Sequence, residues 1–516
     1  MSAIITDQIR ILNAKNFVAG VSSSANSYYS FIGLPNPTDY QSDWEKNPPA
    51  PKDSFNDENK YWDDMIALKK ITASDTRQVI PKRQWTSGTV YDMYRADYSR
   101  TNTAKVSGAT NLYNATYYVL NSEYRVYECL QNGTTPETPN GKSSLDEPTF
   151  IDLEPRSAGT SGDGYIWKYL YTIKPSDIIK FDSTNFIPVP TDWATSSDNA
   201  PVRNNAVDGS VKIVTINNRG VGIGTANRTY TRVPIRGNGT GAECTVVINN
   251  DQTVDSVVVS SQGSGYTYAN VDLAAGGVPA GTTSPSLDVV ISPEGGHGAD
   301  IYRELGAYNV LLYSRIENDT ENPDFVTGNE FARIGIVENP KATPSSLLVA
   351  DKASALSALK ITGVGYSSAV FTMDGEFTQT VAAGSTAVGR VVSYDQTTGV
   401  LKFWQDRTLA GFNTVGTAQT DPTYGYELVQ FSSNPTAPGS LDISHASVSN
   451  LSIDSSFSGI STVINNKTYY LGQTFTNGIG SPEVEKYTGN IIYVDNRPSI
   501  TRSSNQKEDI KVILQF

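Results

Sequence analysis

Two histidines, two cysteines and 53 acidic side chains are the groups in this 516-residue chain that could carry acid–base, nucleophilic or metal chemistry. A zinc site needs His, Cys or carboxylate ligands at recurring spacings, and neither His297 nor His445 has a second His or a Cys near it. A nucleophilic triad would have to be built on one of these two imidazoles, and no Gly-x-Ser-x-Gly elbow is present. His297 lies in Gly295-Gly-His-Gly298, a turn by composition, and His445 follows the strand-like Leu441-Asp-Ile443. Both read as isolated structural residues. The sequence therefore predicts no catalytic residue, no metal ligand and no cofactor.

Phosphate-binding loops fail on local grounds. Pro136-Glu-Thr-Pro-Asn-Gly-Lys142-Ser143 ends like a P-loop, but Pro136 replaces the first Gly and Pro139 interrupts the backbone N–H groups that should cradle phosphate. Gly220-Val-Gly222-Ile-Gly224 is followed by the strand-like Thr229 to Ile235 rather than by a helix N-terminus. Asn249 to Asp255 lacks the Gly and terminal Glu of an EF-hand loop. The acid pairs Asp63-Asp64, Asp146-Glu147 and Asp152 with Glu154 could serve a glycosidase, which needs only two carboxylates at a set separation. With so many acids, the expected reading of these pairs is solvated surface.

The formal net charge is −13, from 40 basic and 53 acidic residues. That argues against nucleic acid, whose phosphates need a basic footprint, and against attraction to anionic membranes. The compact basic candidate, Lys82-Arg83, is too short to alter this. Cys129 and Cys244 sit in strand-like runs far apart and read as two buried free thiols, compatible with a reducing site of synthesis. The N-terminus has no basic leader or long apolar stretch, and no run reaches the roughly 18 apolar residues of a membrane span, so a soluble protein without a secretion signal is expected.

Helical signals concentrate in the first seventy residues. Thr6 can cap a segment in which Ile9 and Leu12 share a face before Gly20, and Tyr61, Trp62, Met65, Ile66 and Leu68 suggest a second helix ending at Lys69-Lys70. Between them, Gly33 to Lys52 is expected to be ordered but irregular. From about residue 77 the chain reads as strands and turns. Glu123 to Leu130 alternates, and Tyr165, Trp167, Tyr169, Tyr171 and Ile173 form an aromatic stripe better suited to a core or subunit contact than to a glycan platform. Asn132 to Gly164 reads as long loops. Val214 to Ile223 resembles Val257 to Tyr266, and Val246 to Ile248 resembles Val289 to Ile291, both at an offset of 43 residues, which predicts a tandem β-repeat. Residues 341–480 are strand-rich, with Val388–Tyr394 and Val400–Trp404 flanking an Asp395 to Gly399 turn. A small β-sandwich or barrel is expected there.

The C-terminal tract predicts two strands. Ile491 to Val494 should end in a turn at Asp495-Asn-Arg-Pro498, because proline fixes its own φ and restricts Arg497. In the last run Ile510, Val512, Leu514 and Phe516 share one face.

Several of these segments carry a family resemblance. Val79-Ile-Pro81-Lys-Arg83-Gln-Trp85 is similar to the Val-Ile-Pro-Arg-Arg-Asp-Trp of the baseplate wedge subunit eight family of T-even-type contractile-tailed phages. Val126-Tyr-Glu-Cys-Leu130 resembles its Val-Tyr-Arg-Cys-Leu strand, and Gly162-Asp163-Gly164-Tyr-Ile-Trp167-Lys-Tyr-Leu170 its Gly-Asp-Gly-Tyr-Val-Trp-Glu-Tyr-Leu. Asp495-Asn496-Arg497-Pro498 matches Glu-Asn-Arg-Pro. With weaker similarity over 298–340, the likeness covers residues 1 to about 205, 298–340 and 481–516.

The resemblance implies a mainly β fold with an α+β N-terminal part, in which β-sandwich or barrel modules are inserted into a discontinuous α+β domain. The expected divisions are a scaffold of 1–100 with 298–340 and 481–516, β-structure over 101–205, a tandem repeat inserted at 206–297 and a β-domain inserted at 341–480. It also implies a non-enzymatic virion protein of the tail baseplate, assembled in the host cytoplasm. Its implied partners are a second copy of itself, other wedge subunits and tail fibre proteins, with no nucleic acid or membrane. The competing expectation from residues alone is a tail protein that binds or cleaves host-surface glycans through its aromatic stripes and acid pairs.

Overall fold

The computed structural model describes residues 5–34, 44–317, 325–326, 328–405, 420–421, 425–426, 429–437, 439–443, 451–503 and 506–516. Residues 35–43 of the Gly33 to Lys52 stretch, and His445, lie outside these residues. The fold is mainly β and multidomain. Two compact units divide the chain: 1–18 with 77–311 and 513–516, and 19–76 with 312–512. The Val79 to Trp85 motif and the Asp495 to Pro498 motif thus belong to different units.

In the first unit, a three-stranded antiparallel sheet joins Tyr118–Leu120, Arg125–Asn132 and Tyr165–Thr172. Strand alternation sends Val126 and Leu130 into one apolar cluster and Tyr127 and Cys129 into another, so both faces are dry. The aromatic stripe divides between the same clusters. Tyr165 and Trp167 join Cys129, whereas Tyr171 and Ile173 join Val126, because the register slips between Val126/Tyr171 and Tyr127/Tyr169. A bulge of one residue reverses side-chain parity, which period-two counting cannot anticipate. The stripe is core on both sides of that slip, with Tyr169 half-buried.

The same unit holds six strands over 211–291 around their own apolar cluster, which includes Val233, Cys244, Val246 and Tyr266. Val211–Asn218 and Val254–Ser264 start 43 residues apart, and Thr240–Ile248 and Ser286–Ile291 end 43 apart. The pairing is exchanged: Val211–Asn218 binds Ser286–Ile291, and Val254–Ser264 binds Thr240–Ile248. Each half therefore completes the other's ladder. Gly220, Gly222, Gly263 and Gly265, equivalent at the same offset, all take left-handed φ values of 70°, 68°, 59° and 74°. A turn conformation explains those glycines without a nucleotide.

The second unit contains a five-stranded antiparallel sheet in the order Lys352–Ser354, Met65–Ile71, Tyr28–Gly33, Glu330–Glu338, Asn490–Thr501. Segments far apart in sequence meet here, with Tyr29, Phe31, Trp62, Met65, Leu68 and Val337 in one cluster. A second sheet in this unit includes the hairpin Ser385–Asp395 and Val400–Trp404 and covers a core containing Phe377, Phe403 and Phe431.

Three local expectations require correction. Asp7–Val21 is helical and Thr6 Oγ1 accepts a hydrogen bond from the Ile9 N–H (3.4 Å), but Ile11 and Ala14 are buried while Ile9 and Leu12 are exposed. The second helix stops at Asp63, capped by Ser54, and Met65–Ile71 is a strand. Met65 to Leu68 is wholly buried between sheet neighbours, and a short apolar run buried on all sides has no diagnostic period. Finally, Asn490–Thr501 is one continuous strand. Phe331 pairs with Ile500 and Arg333 with Asn496, so Arg497 to Ser499 bulge opposite Ala332 alone. A bulge releases Pro498 from donating to the ladder, and the strand survives its proline.

Candidate functional site

The alternation that buries Val126 and Leu130 also buries Glu128, a carboxylate with no solvent exposure. Directly opposite in the ladder stands Lys168, itself buried, whose Nζ donates to the Leu153 carbonyl at 2.7 Å. The turn Gly295–Gly298 and the short helix Ile301–Leu305 add His297 and Glu304. Asp300 caps that helix through the N–H groups of Tyr302 and Arg303, which orients its first turn.

His297 Nδ1 lies 2.8 Å from Glu128 Oε2 and 2.8 Å from Glu304 Oε1. Glu304 Oε2 accepts from the Gly298 N–H at 2.7 Å. The Tyr94 ring meets the imidazole edge-on, centroids 4.8 Å apart. All three titratable groups are at most 4 % exposed, so their charges must balance among themselves and with Lys168.

One nitrogen carries at most one hydrogen, so two carboxylate oxygens compete for it. The outcome separates the acids. Burial and the neighbouring Glu304 charge push Glu128 up to about 8. Glu304 is also opposed by burial, but its bonds to His297 and the Gly298 N–H hold it below the ordinary range. Burial works against a charged His297, yet the facing carboxylates hold it up to about 9. Burial lowers Lys168. Chemically this is a proton-sharing cluster, and its three potential ligand atoms lie within 4.8 Å of one another.

This cluster corrects the reading of His297 as isolated. Glu304 is seven residues along the same segment, whereas Glu128 comes from a remote strand, beyond the reach of spacing rules. A signal did exist in the motifs: Glu128 stands where the family strand has Arg, and Lys168 where it has Glu. The two departures have opposite sign and the ladder makes them neighbours.

The motif residues singled out from sequence are woven into the fold. Pro81 ends a strand paired with Phe186–Pro188, and its carbonyl accepts from the Tyr118 hydroxyl at 2.7 Å. Arg83 lies over the Tyr118 ring at 4.4 Å and donates to the Tyr113 carbonyl. Trp85 donates from Nε1 to Ser144 Oγ at 3.0 Å. Gly162 and Gly164 have φ of 69° and 85°, and a Cβ on Gly164 would lie 2.8 Å from Gly133 Cα. Between them Asp163 accepts from the N–H groups of Leu145 and Tyr165. Trp167 stacks on Tyr165, centroids 5.3 Å apart. Asn496 accepts from Arg333 Nε (2.8 Å) and donates to the Pro49 carbonyl (2.9 Å); the Arg497 carbonyl accepts from Trp44 Nε1. Pro498 occupies the bulge.

The acid pairs have structural partners too. Asp63 and Asp64 are buried, against the expectation of surface: Tyr487 donates to Asp63, and Arg333 donates to Asp64. Asp146 accepts from the Ser161 N–H and Glu147 from the Ser122 N–H. Asp152 pairs with Arg156, and Glu154 with Lys212. Cys129 and Cys244 are free and buried, and Lys82 of the short basic run pairs with Asp182.

Residues 3–149 match the Phage-Gp8 family model, described as Bacteriophage T4, Gp8. Over that stretch the chain is similar to the baseplate wedge subunit eight family. That matched stretch contains the Val79 to Trp85 and Val126 to Leu130 motifs. The chain is also similar to the baseplate wedge protein gp8 of Enterobacteria phage T4, at 28 % identity over 232 residues. The alignment takes in 39 % of this chain and 64 % of that protein, so less than two thirds of the relative's length is spanned.

Proposed function

We propose that this protein is a structural component of a contractile-tail baseplate wedge, acting by binding rather than by catalysis. The observation that carries the reading is the match of residues 3–149, which hold Val79 to Trp85 and Val126 to Leu130, to the Bacteriophage T4 Gp8 family model, together with the similarity to a baseplate wedge protein. The proposed activity is self-association into a homodimer and docking onto other wedge subunits, in a virion assembled in the host cytoplasm. Nucleic acid and membrane are not proposed as partners, in keeping with the net charge of −13. Among the described residues no helix is long and apolar enough to cross a membrane.

The proposed division treats 1–100, 298–340 and 481–516 as scaffold, 101–205 as associated β-structure, and 206–297 and 341–480 as additions that supply outward contacts to neighbouring tail or fibre proteins. Engagement of the acid pairs by Arg156, Lys212, Arg333 and backbone N–H groups supports a non-enzymatic reading over glycan cleavage.

The test is assembly. Phage lacking this protein should yield tails with incomplete baseplates, restored by the full chain, and light scattering of the purified chain should give twice the monomer mass. Complete baseplates without it would overturn the reading, as would release of oligosaccharides from host polysaccharide by the purified chain. A monomer at all concentrations would remove the dimer.

A further inference from the structure

The buried carboxylate–imidazole cluster has features that a balanced ion network leaves unexplained. Glu128 is fully buried, yet neither of its oxygens has a hydrogen-bond donor, although Oε2 lies 2.8 Å from His297 Nδ1, whose hydrogen bond goes to Glu304. An unpaired lone-pair oxygen in a dry site is costly, and a hydrogen on His297 Nδ1 cannot reach it while also serving Glu304. Three ligand atoms from two segments far apart in sequence nevertheless converge, each within 4.8 Å of the others.

A second feature is independent of the first. A cavity of about 400 Å3 reaches Glu304 and Tyr94, and its wall carries Asp7, Glu294 and Asp300. The cation in that wall, Arg303, is already paired with Glu294 at 2.8 Å. An acid-lined recess concentrates cations, and here it borders Glu304 of the cluster.

We propose that Glu128, His297 and Glu304 bind one first-row divalent metal ion of the zinc class, joining the Arg125–Asn132 strand to the 297–304 segment. One imidazole nitrogen with two carboxylates suits Zn2+ and its neighbours better than Mg2+ or Ca2+, which favour all-oxygen shells. Metal–ligand bonds of about 2.1 Å in a tetrahedral shell separate ligand atoms by roughly 3.4 Å. The two nitrogen–oxygen distances of 2.8 Å therefore open by about 0.6 Å on binding, a side-chain adjustment. The ion displaces the proton on His297 Nδ1 and the proton held by the carboxylate pair. Two protons leave and two positive charges enter, so the net charge of the cluster is unchanged. A water from the cavity completes the shell. The role is structural, cross-linking residues distant in sequence.

The full chain, stripped with a chelator and dialysed, should bind one equivalent of ZnCl2 by calorimetry, with proton release and a raised melting temperature. Co2+ should give the visible absorption of a tetrahedral nitrogen–oxygen site. E128Q and H297Q, checked for folding by circular dichroism, should weaken zinc binding by at least about tenfold. No uptake by folded wild-type protein would overturn the proposal, and that measurement does not depend on either variant folding. Equal zinc affinity in wild type, E128Q and H297Q would overturn it as well.

Discussion

Replacing Arg333 by methionine tests how the sheet containing the C-terminal strand is held. The guanidinium donates to Asp64, whose side chain is 0 % exposed, and to Asn496 Oδ1 at 2.8 Å; it lies over the Tyr61 ring at 4.6 Å. Methionine keeps most of the stem's volume but leaves Asp64 buried without its cation. Removing one partner of a buried pair destabilises by about 3–5 kcal/mol. At about 1.4 kcal/mol per factor of ten, amide exchange over residues 28–33 and 330–338 should accelerate by roughly two to four orders of magnitude. Local exchange is the suitable assay, because two compact units make a single unfolding free energy ill-defined.

The effect has a pH signature. Burial pushes Asp64 up to about 7 even with Arg333 beside it, and without Arg333 it must rise further. The folded state then holds a proton that the unfolded state lacks at every pH between 3.8 and the folded value. Asp64's contribution to stability is fully present below 3.8 and is lost as pH rises through the folded pKa. The damage in R333M should accordingly shrink by about 1.4 kcal/mol per unit as the pH is lowered from the variant's raised pKa to about 7, and stay level below that, where wild type and variant take up the proton alike. In D64L/R333M, where neither charge remains, most of the loss should be recovered. An R333M penalty below about 1 kcal/mol, or a double variant as unstable as the single one, would refute the reasoning.

G164A should lower the stability of the first unit by about 2–4 kcal/mol, since φ of 85° disfavours a Cβ and Gly133 already occupies its space; amide exchange over the Arg125–Asn132 and Tyr165–Thr172 strands checks this. R83M, which loses the Tyr118 ring contact and the bond to Tyr113, should be milder, about 1–2 kcal/mol by the same assay. E128R should destabilise the Glu128 site strongly and K168E should restore part of that loss in the double variant, giving a coupling of about 1–3 kcal/mol in a double-mutant cycle. Cys129 and Cys244 should resist thiol reagents in the native protein and both react in denaturant, because burial raises both thiols, Cys244 to about 11; mass spectrometry counts the adducts.

Local pattern carried much of the fold where one rule dominated. The Asp395 to Gly399 turn delimits the Ser385–Asp395 and Val400–Trp404 strands because Gly399 alone there takes a left-handed φ, 68°. The offset of 43 is visible because equivalent turns need equivalent glycines. Pattern failed where two conformations share a signature. Met65 to Leu68 could be helix or strand until neighbours on both sides chose strand, and Pro498 could end a strand or sit in a bulge until Ala332 faced the bulge.

The candidate site shows the same division. Residue types and local spacing determined a mainly β, acidic chain with few chemical groups, and the motifs pointed to a baseplate wedge relative. They also placed an acid at 128 and a base at 168 on strands. Only tertiary structure decided that these charges are buried, that they face one another, and that His297 and Glu304 complete the cluster. The physical reason is that alternation and turn propensity act over a few residues, whereas burial, carboxylate competition for one proton and the resulting shifts depend on groups brought together by ladder register across the chain.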